Sequence, residues 1–367
     1  MKPINDQRKL YLLAAALLAL SVVLCLVWKV WQPSGADRSP DPSPGSSASQ
    51  PLSTSAPEES SAPVSSGTQA EGGVRTTVYY QDNYGYLVPV VRTIQEQTGV
   101  ARATLALMVS SPRNDMEAAR LGLRTVIPEG TELDLDISRG SARINLTGDI
   151  SSLADAQAES NMVSAIVQTL TEFDSVETVS FLINGQQVKK LPHGTSVSGV
   201  FSRGLVNLES AASGLSPEDA RTVMLYFPGD ASSLIVPVTR MVYGQADVNT
   251  AVLELLKGPS AQSPLDNALP SGCGLIDATL KDGVVTINFT ADFIRIAEQS
   301  DGGRLAMRAL YLTCSQFPGV ERVEIQVEGQ PYDTGLPTSA LPTFINSADE
   351  INESRLLSQS AQLFELD

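Results

Sequence analysis

The sequence predicts an α+β protein that contains one folded module twice in tandem. A seven-residue motif at residues 144–150, which has the pattern of a strand followed by a turn, returns in altered form at residues 287–293. The segments on either side of the two copies also recur in the same order, with an offset of about 144 residues. A motif that recurs together with its flanks indicates a duplicated domain.

The N-terminal region predicts a membrane anchor. Residues 10–28 form an uncharged run of 19 residues rich in Leu, Ala and Val, close to the ~20 residues that cross a bilayer core as a helix. Basic residues precede the run and tryptophans follow it. We therefore expect residues 1–9 in the cytoplasm, an uncleaved transmembrane anchor at residues 10–31 and an extracytoplasmic remainder. Lipidation at Cys25 and a buried soluble helix are the alternatives.

Residues 32–75 predict a disordered tether. Ser, Pro, Ala, Gly and Glu dominate this segment, and its apolar residues show no periodicity. Such a composition cannot bury enough apolar surface to offset the entropy that ordering would cost. We expect the tether to hold the folded part of the chain away from the membrane.

The first folded unit, residues 76–195, predicts strands and two helices. Alternation of apolar and polar residues indicates strands, and a period of 3.6 indicates helices. Pro89 makes its extended segment either an edge strand or an irregular strand. The predicted elements are a strand at 76–80, an extended segment at 87–92, a helix at 101–111, a hairpin of strands 133–137 and 142–146, a helix at 161–173 and a strand at 176–183.

The second folded unit, residues 221–337, repeats this order. Its predicted elements are a strand at 223–227, an extended segment at 236–240, a helix at 248–256, a hairpin strand at 284–289, a helix at 304–317 and a strand at 320–327. Between the units, residues 196–220 form a connector with mixed turn signals. The tail at residues 338–367 is acidic and loosely amphipathic. For this tail, a docked helix and a frayed partner-binding segment both remain open.

The composition argues against nucleic-acid and metal binding. A formal net charge of -16 is unsuited to a phosphate backbone, which requires clustered Lys and Arg. One histidine and three distant cysteines do not make a zinc site. Cys273 and Cys314 both fall in the second unit, and a disulfide between them remains open. The favoured interpretation is that Cys314 replaces a core leucine and acts as a small buried hydrophobe.

Asp149 and Asp292 end the two copies of the motif and are the most tempting catalytic candidates. Two carboxylates do acid–base chemistry together only when they are held a few ångströms apart. These two occupy the same place in separate domains, which favours a structural role. In that interpretation, the pattern Asn-x-Thr-x-Asp provides side-chain acceptors for a turn and for the start of the next segment.

Arg92 and Arg240 follow Val-Pro-Val in both units. They are candidates for binding an anion, but an arginine repeated in this way more commonly bridges backbone carbonyls or a local carboxylate. We expect His193, the single histidine, in an exposed loop. The chain has neither a Gly-x-Ser-x-Gly elbow nor a P-loop. The sequence therefore predicts no enzyme, with no catalytic residue, no cofactor and no metal ligand.

The residues that indicate a family lie mainly in the second unit. They are the opening strand at 223–227, the Leu-Lys-Gly-Pro helix end at 256–259, the Leu-Pro-x-Gly turn at 269–272, the strand at 285–289 and the closing segment at 320–329. Together they resemble the GerMN domain of spore-forming Firmicutes. The first unit fits less closely, because it has Ser111-Pro112 where the second has Gly258-Pro259.

The resemblance implies a fold and a role. The fold would be a small mixed β-sheet packed with two helices in each repeat, similar to the ring-building motif of secretion systems. The role would be a non-enzymatic one in sporulation and spore germination, in the space between mother cell and forespore. We expect a membrane-tethered scaffold that contacts envelope proteins of the sporulating cell, with homo-oligomers left open. The alternative is a module that binds cell-wall glycan or a small solute in the groove between the repeats.

Overall fold

The computed structural model describes residues 73–209, 220–229, 234–299, 301, 303–335 and 345–348. The expected anchor, the tether up to residue 72 and most of the C-terminal tail lie outside the described residues. Within the described ranges, no helix combines the length and the apolar character that a membrane crossing requires. Both repeats belong to one compact unit, Pro63–Asp367.

The first repeat begins with a hairpin and continues with a larger sheet and three helices. Its elements are β1 (Val74–Gln81), β2 (Leu87–Ile94), α1 (Val100–Ala106), α2 (Pro112–Ala119), β3 (Glu132–Ser138), β4 (Gly140–Thr147), a 3-10 turn (Ile150–Ser152), α3 (Ala156–Leu170), β5 (Val176–Ile183) and β6 (Phe201–Ser202). The larger sheet has the order β3-β4-β5-β6, in which only the β4–β5 pair is parallel.

The second repeat has the same topology. Its elements are β7 (Ala220–Pro228), β8 (Ile235–Tyr243), α4 (Val248–Leu256), β9 (Leu275–Lys281), β10 (Val284–Phe289), a 3-10 helix (Ala291–Glu298), α5 (Arg304–Ser315), β11 (Arg322–Val327) and β12 (Gln330–Pro331). Here too β7 and β8 form a separate hairpin, and β10–β11 is the parallel pair of the larger sheet. The tandem α+β architecture is confirmed.

The helices differ from the predicted ones in the first repeat. The segment predicted as a helix over 101–111 ends as α1 at Ala106, and a second short helix, α2, begins at Pro112. Ser111 caps α2 by accepting a hydrogen bond from the backbone N–H of Asn114 at 3.2 Å. Proline suits the first turn of a helix because its missing N–H would be unpaired there anyway. The expectation of two helices per repeat was therefore wrong for the first repeat.

The repeated motif forms the middle of each core. Ile144 and Leu146 on β4 are fully buried, as are Ile287 and Phe289 at the equivalent places on β10. Their alternation with more exposed neighbours is the period-2 pattern from which the strands were predicted. Full burial of one such side chain contributes about 1.5–3 kcal/mol. The motif therefore stabilises each repeat.

The two hairpins bring the repeats together. Each hairpin is a two-stranded sheet of its own, so the proline-containing strands β2 and β8 each have a free edge, which is one of the two possibilities that Pro89 indicates for β2. These two strands contact each other across the junction of the repeats. A free strand edge carries unpaired backbone N–H and C=O groups that must find other partners when they are buried.

Candidate functional site at the junction of the repeats

Asn207, in the connector, joins the two proline strands. Its side-chain oxygen accepts a hydrogen bond from the backbone N–H of Leu87 at 2.8 Å. Its amide nitrogen donates to the carbonyl of Leu87 at 2.8 Å and to that of Pro237 at 2.7 Å. Because Leu87 is on β2 and Pro237 is on β8, one side chain satisfies backbone groups of both repeats.

Asn346, in the C-terminal tail, makes the equivalent set of contacts with the roles of the two repeats exchanged. Its oxygen accepts from the backbone N–H of Ile235 at 2.7 Å. Its amide nitrogen donates to the carbonyl of Ile235 and to that of Pro89, both at 2.8 Å. The Asn346 side chain is almost completely buried, at 3% exposure. It therefore uses both of its amide N–H groups and its carbonyl within the protein interior.

The residues around each asparagine extend along a strand of one repeat. We call residues 206–209 the first strap and residues 345–348 the second strap. The first strap pairs in parallel with β8 through Leu208 and Thr239, and the second with β2 through Ser347 and Val91. The first strap, which follows the first repeat in the chain, therefore covers the edge of β8 in the second repeat. The second strap, which follows the second repeat, covers the edge of β2 in the first repeat.

Arg240 fastens the first strap to the second repeat. Its guanidinium donates to both carboxylate oxygens of Glu209, at 2.6 and 3.1 Å, and to the backbone carbonyls of Glu254 and Gly258, both at 2.8 Å. The side chains of Arg240 and Glu209 are only 13% and 12% exposed. Burial lowers the pKa of Arg240, but the carboxylates of Glu209 and Glu254 raise it by more. The interpretation that this arginine bridges backbone carbonyls or a local carboxylate is confirmed through the carbonyls of Glu254 and Gly258.

Arg92, the equivalent residue of the first repeat, also pairs within its own repeat. It forms an ion pair with Glu117 of α2, and Glu117 is shared with Arg113 at 3.1 Å. The carboxylate that satisfies this arginine is therefore carried by the helix that the sequence analysis did not predict.

The polar residues of the repeated motif accept hydrogen bonds from nearby turns. Asn145 and Asn288 accept from the backbone N–H groups of Gly185 and Gly329, at 2.8 and 2.9 Å. Asp149 caps the following 3-10 turn through the N–H of Ser151 at 3.0 Å. Asp292 lies exposed in the first turn of the second 3-10 helix. The contacts of Asn145, Asn288 and Asp149 are of the kind that the structural interpretation predicts.

His193 lies in an exposed loop, as expected, and its loop encloses a buried carboxylate. Glu159 on α3 is fully buried and accepts hydrogen bonds from the backbone N–H groups of His193 at 2.6 Å and Thr195 at 3.1 Å. A ring nitrogen of His193 hydrogen-bonds the carbonyl of Leu153 at 2.8 Å. Burial raises the pKa of Glu159, but the backbone donors of His193 and Thr195, together with the Thr195 hydroxyl and the charge of His193, lower it by more, so the net pKa is below its ordinary value.

The Glu159 contacts predict a pH-dependent stability. A carboxyl whose folded pKa is depressed contributes stability that is complete above its unfolded pKa and is lost as pH falls through the folded pKa. We expect Glu159→Gln to lower the free energy of unfolding by about 2 kcal/mol at pH 7, since hydrogen bonds to a charged group are lost. This difference should shrink as urea titrations are moved below the ordinary glutamate pKa of 4.5. A difference that stayed constant with pH would contradict the assignment.

The two cysteines of the second repeat are both free thiols. Cys314 is fully buried on α5, and Cys273 is partly buried beside Gly274. Burial raises the pKa of Cys314 to about 12, and burial together with the charge of Asp292 raises that of Cys273 to about 12. The prediction that Cys314 serves as a small buried hydrophobe is confirmed, and the open question of a disulfide is answered by two separate thiols.

The state of the cysteines predicts insensitivity to reductant. We expect the melting temperature of the folded protein to be the same with and without dithiothreitol. We also expect maleimide labelling of Cys314 to be detectable only after unfolding, because the reactive species is the thiolate. Cys273 provides the internal comparison, since it should label slowly in the native state. A fall in melting temperature on reduction would instead indicate a disulfide.

Four polar side chains meet where the connector crosses the first strands of both repeats. Tyr79 donates to Glu172 at 3.1 Å, and Arg203 forms an ion pair with the same carboxylate. Burial raises the pKa of Tyr226 on β7 to about 12, with Arg203 lowering it and Glu172 raising it. Burial also raises the pKa of Tyr79, so both tyrosines are neutral at physiological pH. The cluster holds the connector in place.

The surface of the first repeat has two open depressions. One, of about 530 Å³, is lined by Asp115, Arg124 and Glu129 among others, and Asp115 is already hydrogen-bonded to Ser110 and Thr125 at 2.8 and 2.6 Å. The other, of about 580 Å³, lies between α1 and β3. At the junction itself, the side chains of Asn207 and Asn346 each hydrogen-bond to both β2 and β8. In the part of the chain that the structure describes, no group of three or more His, Cys, Asp or Glu is placed to hold a metal ion.

The two strap asparagines are not among the candidate residues predicted from the sequence. A signal for them is present, because each folded unit is followed by an apolar residue and an asparagine, Val206-Asn207 and Ile345-Asn346. This equivalence lies beyond the last strand of each repeat, in the connector and in the tail.

The fold and the junction define a tandem α+β repeat protein whose two repeats are joined through paired asparagine straps. A family model described as "Germane: Sporulation and spore germination" matches residues 77–189 and 224–333 of the chain. The chain belongs to this family, as its resemblance to GerMN domains predicted.

Individual relatives agree with the family. The chain is similar to the spore germination protein GerM of Bacillus subtilis (strain 168), with 28% identity over 271 residues that cover 71% of this chain and 74% of that protein. It is also similar to the solved tandem GerMN domains of the sporulation protein GerM from Bacillus subtilis, with 26% identity and a TM-score of 0.63. That likeness covers 75% of this chain and 99% of the solved chain. The two-repeat architecture is therefore shared with a sporulation protein.

Proposed function

We propose that this protein is a non-enzymatic scaffold of the sporulating cell, which acts in sporulation and spore germination through protein–protein contacts. Family membership supports the process in which it acts. The single observation that carries the scaffold role is the junction, where Asn207 and Asn346 join β2 and β8. Two small domains joined in this way present their outer surfaces in a constant arrangement, which a scaffold requires.

The contacts of the titratable side chains also support a non-enzymatic role. Arg240, Glu209 and Glu159 are buried or nearly so and are occupied by contacts that hold the fold together. Asp149 caps a turn. A general base or nucleophile would need a group left available to a substrate at a concave site. Among the candidates from the sequence, Arg92, Arg240 and Asp149 are engaged in structure, and Asp292 lies exposed in the other repeat.

We further propose that residues 10–31 anchor the chain in the cell membrane and that both repeats lie on the extracytoplasmic side. The basis is the uncharged run of residues 10–28 with basic residues before it. The proline- and serine-rich segment that follows would separate the repeats from the lipid surface. The partners would be envelope proteins between mother cell and forespore.

A genetic experiment tests the proposal. The gene would be deleted in its sporulating host, and heat-resistant spores and germination would be counted. We expect a loss that the wild-type chain restores and that Asn207→Ala combined with Asn346→Ala does not. The double variant Asp149→Asn, Asp292→Asn is the matched control and should restore function, since a scaffold has no catalytic carboxylate. Unchanged sporulation and germination after deletion would contradict the proposed process, and failure of the aspartate variant alone would contradict the non-enzymatic role.

A sedimentation experiment distinguishes the glycan-binding alternative from the proposed scaffold role. The purified chain would be mixed with purified peptidoglycan, and the bound fraction measured against the amount of wall material. A scaffold that contacts proteins should remain in the supernatant. Saturable binding of the purified chain to the wall material, with no partner protein present, would favour the alternative.

A further inference from the structure

The two straps are equivalent in their contacts but differ in their covalent connections. The first strap lies between the repeats in the chain, so both of its ends lead into folded domains. The second strap follows both repeats and is joined to the second repeat through residues 336–344. It nevertheless pairs with β2 of the first repeat, where the backbone N–H of Val91 donates to the carbonyl of Asn346 at 2.8 Å.

The two straps also differ in the strength of the contacts that hold them to the repeats. The first strap carries Glu209, which makes a paired contact with Arg240 and accepts from the backbone N–H of Ser260 at 3.1 Å. The hydroxyl of Thr239 also donates to the carbonyl of Val206, in this strap, at 2.7 Å. The four described residues of the second strap carry no charged side chain. Release of the second strap therefore breaks fewer strong contacts than release of the first.

The seat of the second strap is specific for its sequence. Asn346, Ser347 and Ala348 are each at least 95% buried, with exposures of 3%, 3% and 4%. When the strap is absent, the N–H and C=O of Ile235 and the carbonyl of Pro89 lose the partner that satisfies them. A buried backbone group without a partner is costly, so an empty seat favours binding of another segment that presents an asparagine between apolar and small residues.

We propose that the second strap is exchangeable, and that residues 345–348 of one copy bind the seat between Pro89 and Ile235 of a second copy of this chain. The second copy is the occupant that the structure supports, because every copy carries the sequence that the seat holds. Exchange conserves all contacts of the strap, which makes it a low-cost route to association. The short connection through residues 336–344 gives the strap an effective concentration on the order of millimolar at the seat of its own copy. The strap therefore binds its own copy in dilute solution and exchanges between copies at high protein concentration. The inference does not depend on the proposed envelope role.

The test is a mixing experiment with the full-length chain. One copy carries Val91→Cys and the other Ser347→Cys, at positions paired between β2 and the strap. Paired positions on neighbouring strands are about 5 Å apart, within the range that a disulfide spans. We expect oxidation of the mixture to give a linked heterodimer whose yield rises with total protein concentration. Adding Asn346→Ala to the Ser347→Cys copy should remove it.

The controls decide between exchange and a strictly internal strap. A single chain that carries both introduced cysteines should form an intramolecular disulfide at low protein concentration. Oxidation of the wild-type chain alone measures the cross-linking that the native cysteines contribute. Thr93→Cys, on the same strand but not paired with Ser347, is the matched control for random collision. A heterodimer yield no higher than with Thr93→Cys, or a molar mass by light scattering that stays monomeric at every concentration, would overturn the proposal. Cross-linking of the Val91→Cys copy to an unrelated envelope protein in cells, with no homodimer, would likewise overturn it.

Discussion

Replacing Asn346 by alanine should lower the free energy of unfolding by about 3–5 kcal/mol, because three buried hydrogen bonds are lost and the backbone groups of Ile235 and Pro89 are left without partners. Asn207→Ala should have an effect of the same sign, and a smaller one, because Asn207 is less buried and water can replace part of its contacts. Urea denaturation followed by circular dichroism measures both variants.

The control for the asparagine variants is Asn83→Ala. Asn83 lies exposed in the turn between β1 and β2, so its replacement should change the free energy of unfolding by no more than about 0.5 kcal/mol. The Asn207→Ala, Asn346→Ala double variant should also unfold with a broader or two-step transition, because the two repeats lose the contacts that join them. An Asn346→Ala variant as stable as Asn83→Ala would show that the straps do not contribute to the folded unit.

The second large effect is expected at Arg240. Removal of one partner of a buried ion pair costs about 3–5 kcal/mol, because the remaining charge stays buried without compensation. Arg240→Ala leaves the carboxylate of Glu209 and the carbonyls of Glu254 and Gly258 without their donor. Arg240→Lys should recover only part of the loss, since an ammonium group cannot make the paired contact to one carboxylate.

Two comparisons isolate the Arg240 effect. Arg113→Ala is the exposed counterpart, with a side chain 84% exposed in an ion pair with Glu117, and should cost less than about 1 kcal/mol. A double-mutant cycle of Arg240→Met and Glu209→Gln should give a coupling energy well above zero, because the two side chains contact each other directly. Additive effects in that cycle would mean that the arginine stabilises the protein by other contacts.

Local sequence patterns were sufficient for most of the secondary structure. The period-2 alternation around Ile144 and Ile287 predicted β4 and β10, and a 3.6-residue period predicted α3 and α5. Duplication strengthened each prediction, because the same pattern occurred twice. The clearest difference is at Pro112, where the sequence predicts that a helix ends. Pro112 is the first residue of another helix, since Ser111 caps the new helix.

The roles of the polar residues were only partly predictable. Local partners, such as Ser151 for Asp149, follow from turn chemistry within a few residues of the chain. The sequence also indicated that Arg240 would meet backbone carbonyls or a local carboxylate, but not that Glu209 of the connector supplies the carboxylate. A distant partner of this kind depends on how the whole chain folds back on itself.

Local patterns in the sequence are enough to predict a duplicated α+β module of the GerMN type with few residues suited to catalysis. Periodicity, turn residues and repetition are local properties, and each can be recognised within a short window. How the repeats are joined depends instead on contacts between distant parts of the chain. Asn346 and Pro89 are 257 residues apart along the chain. Their contact forms because the proline-containing strands β2 and β8 both have a free edge at the same junction. Satisfying the buried backbone groups of those edges is the physical reason for the straps.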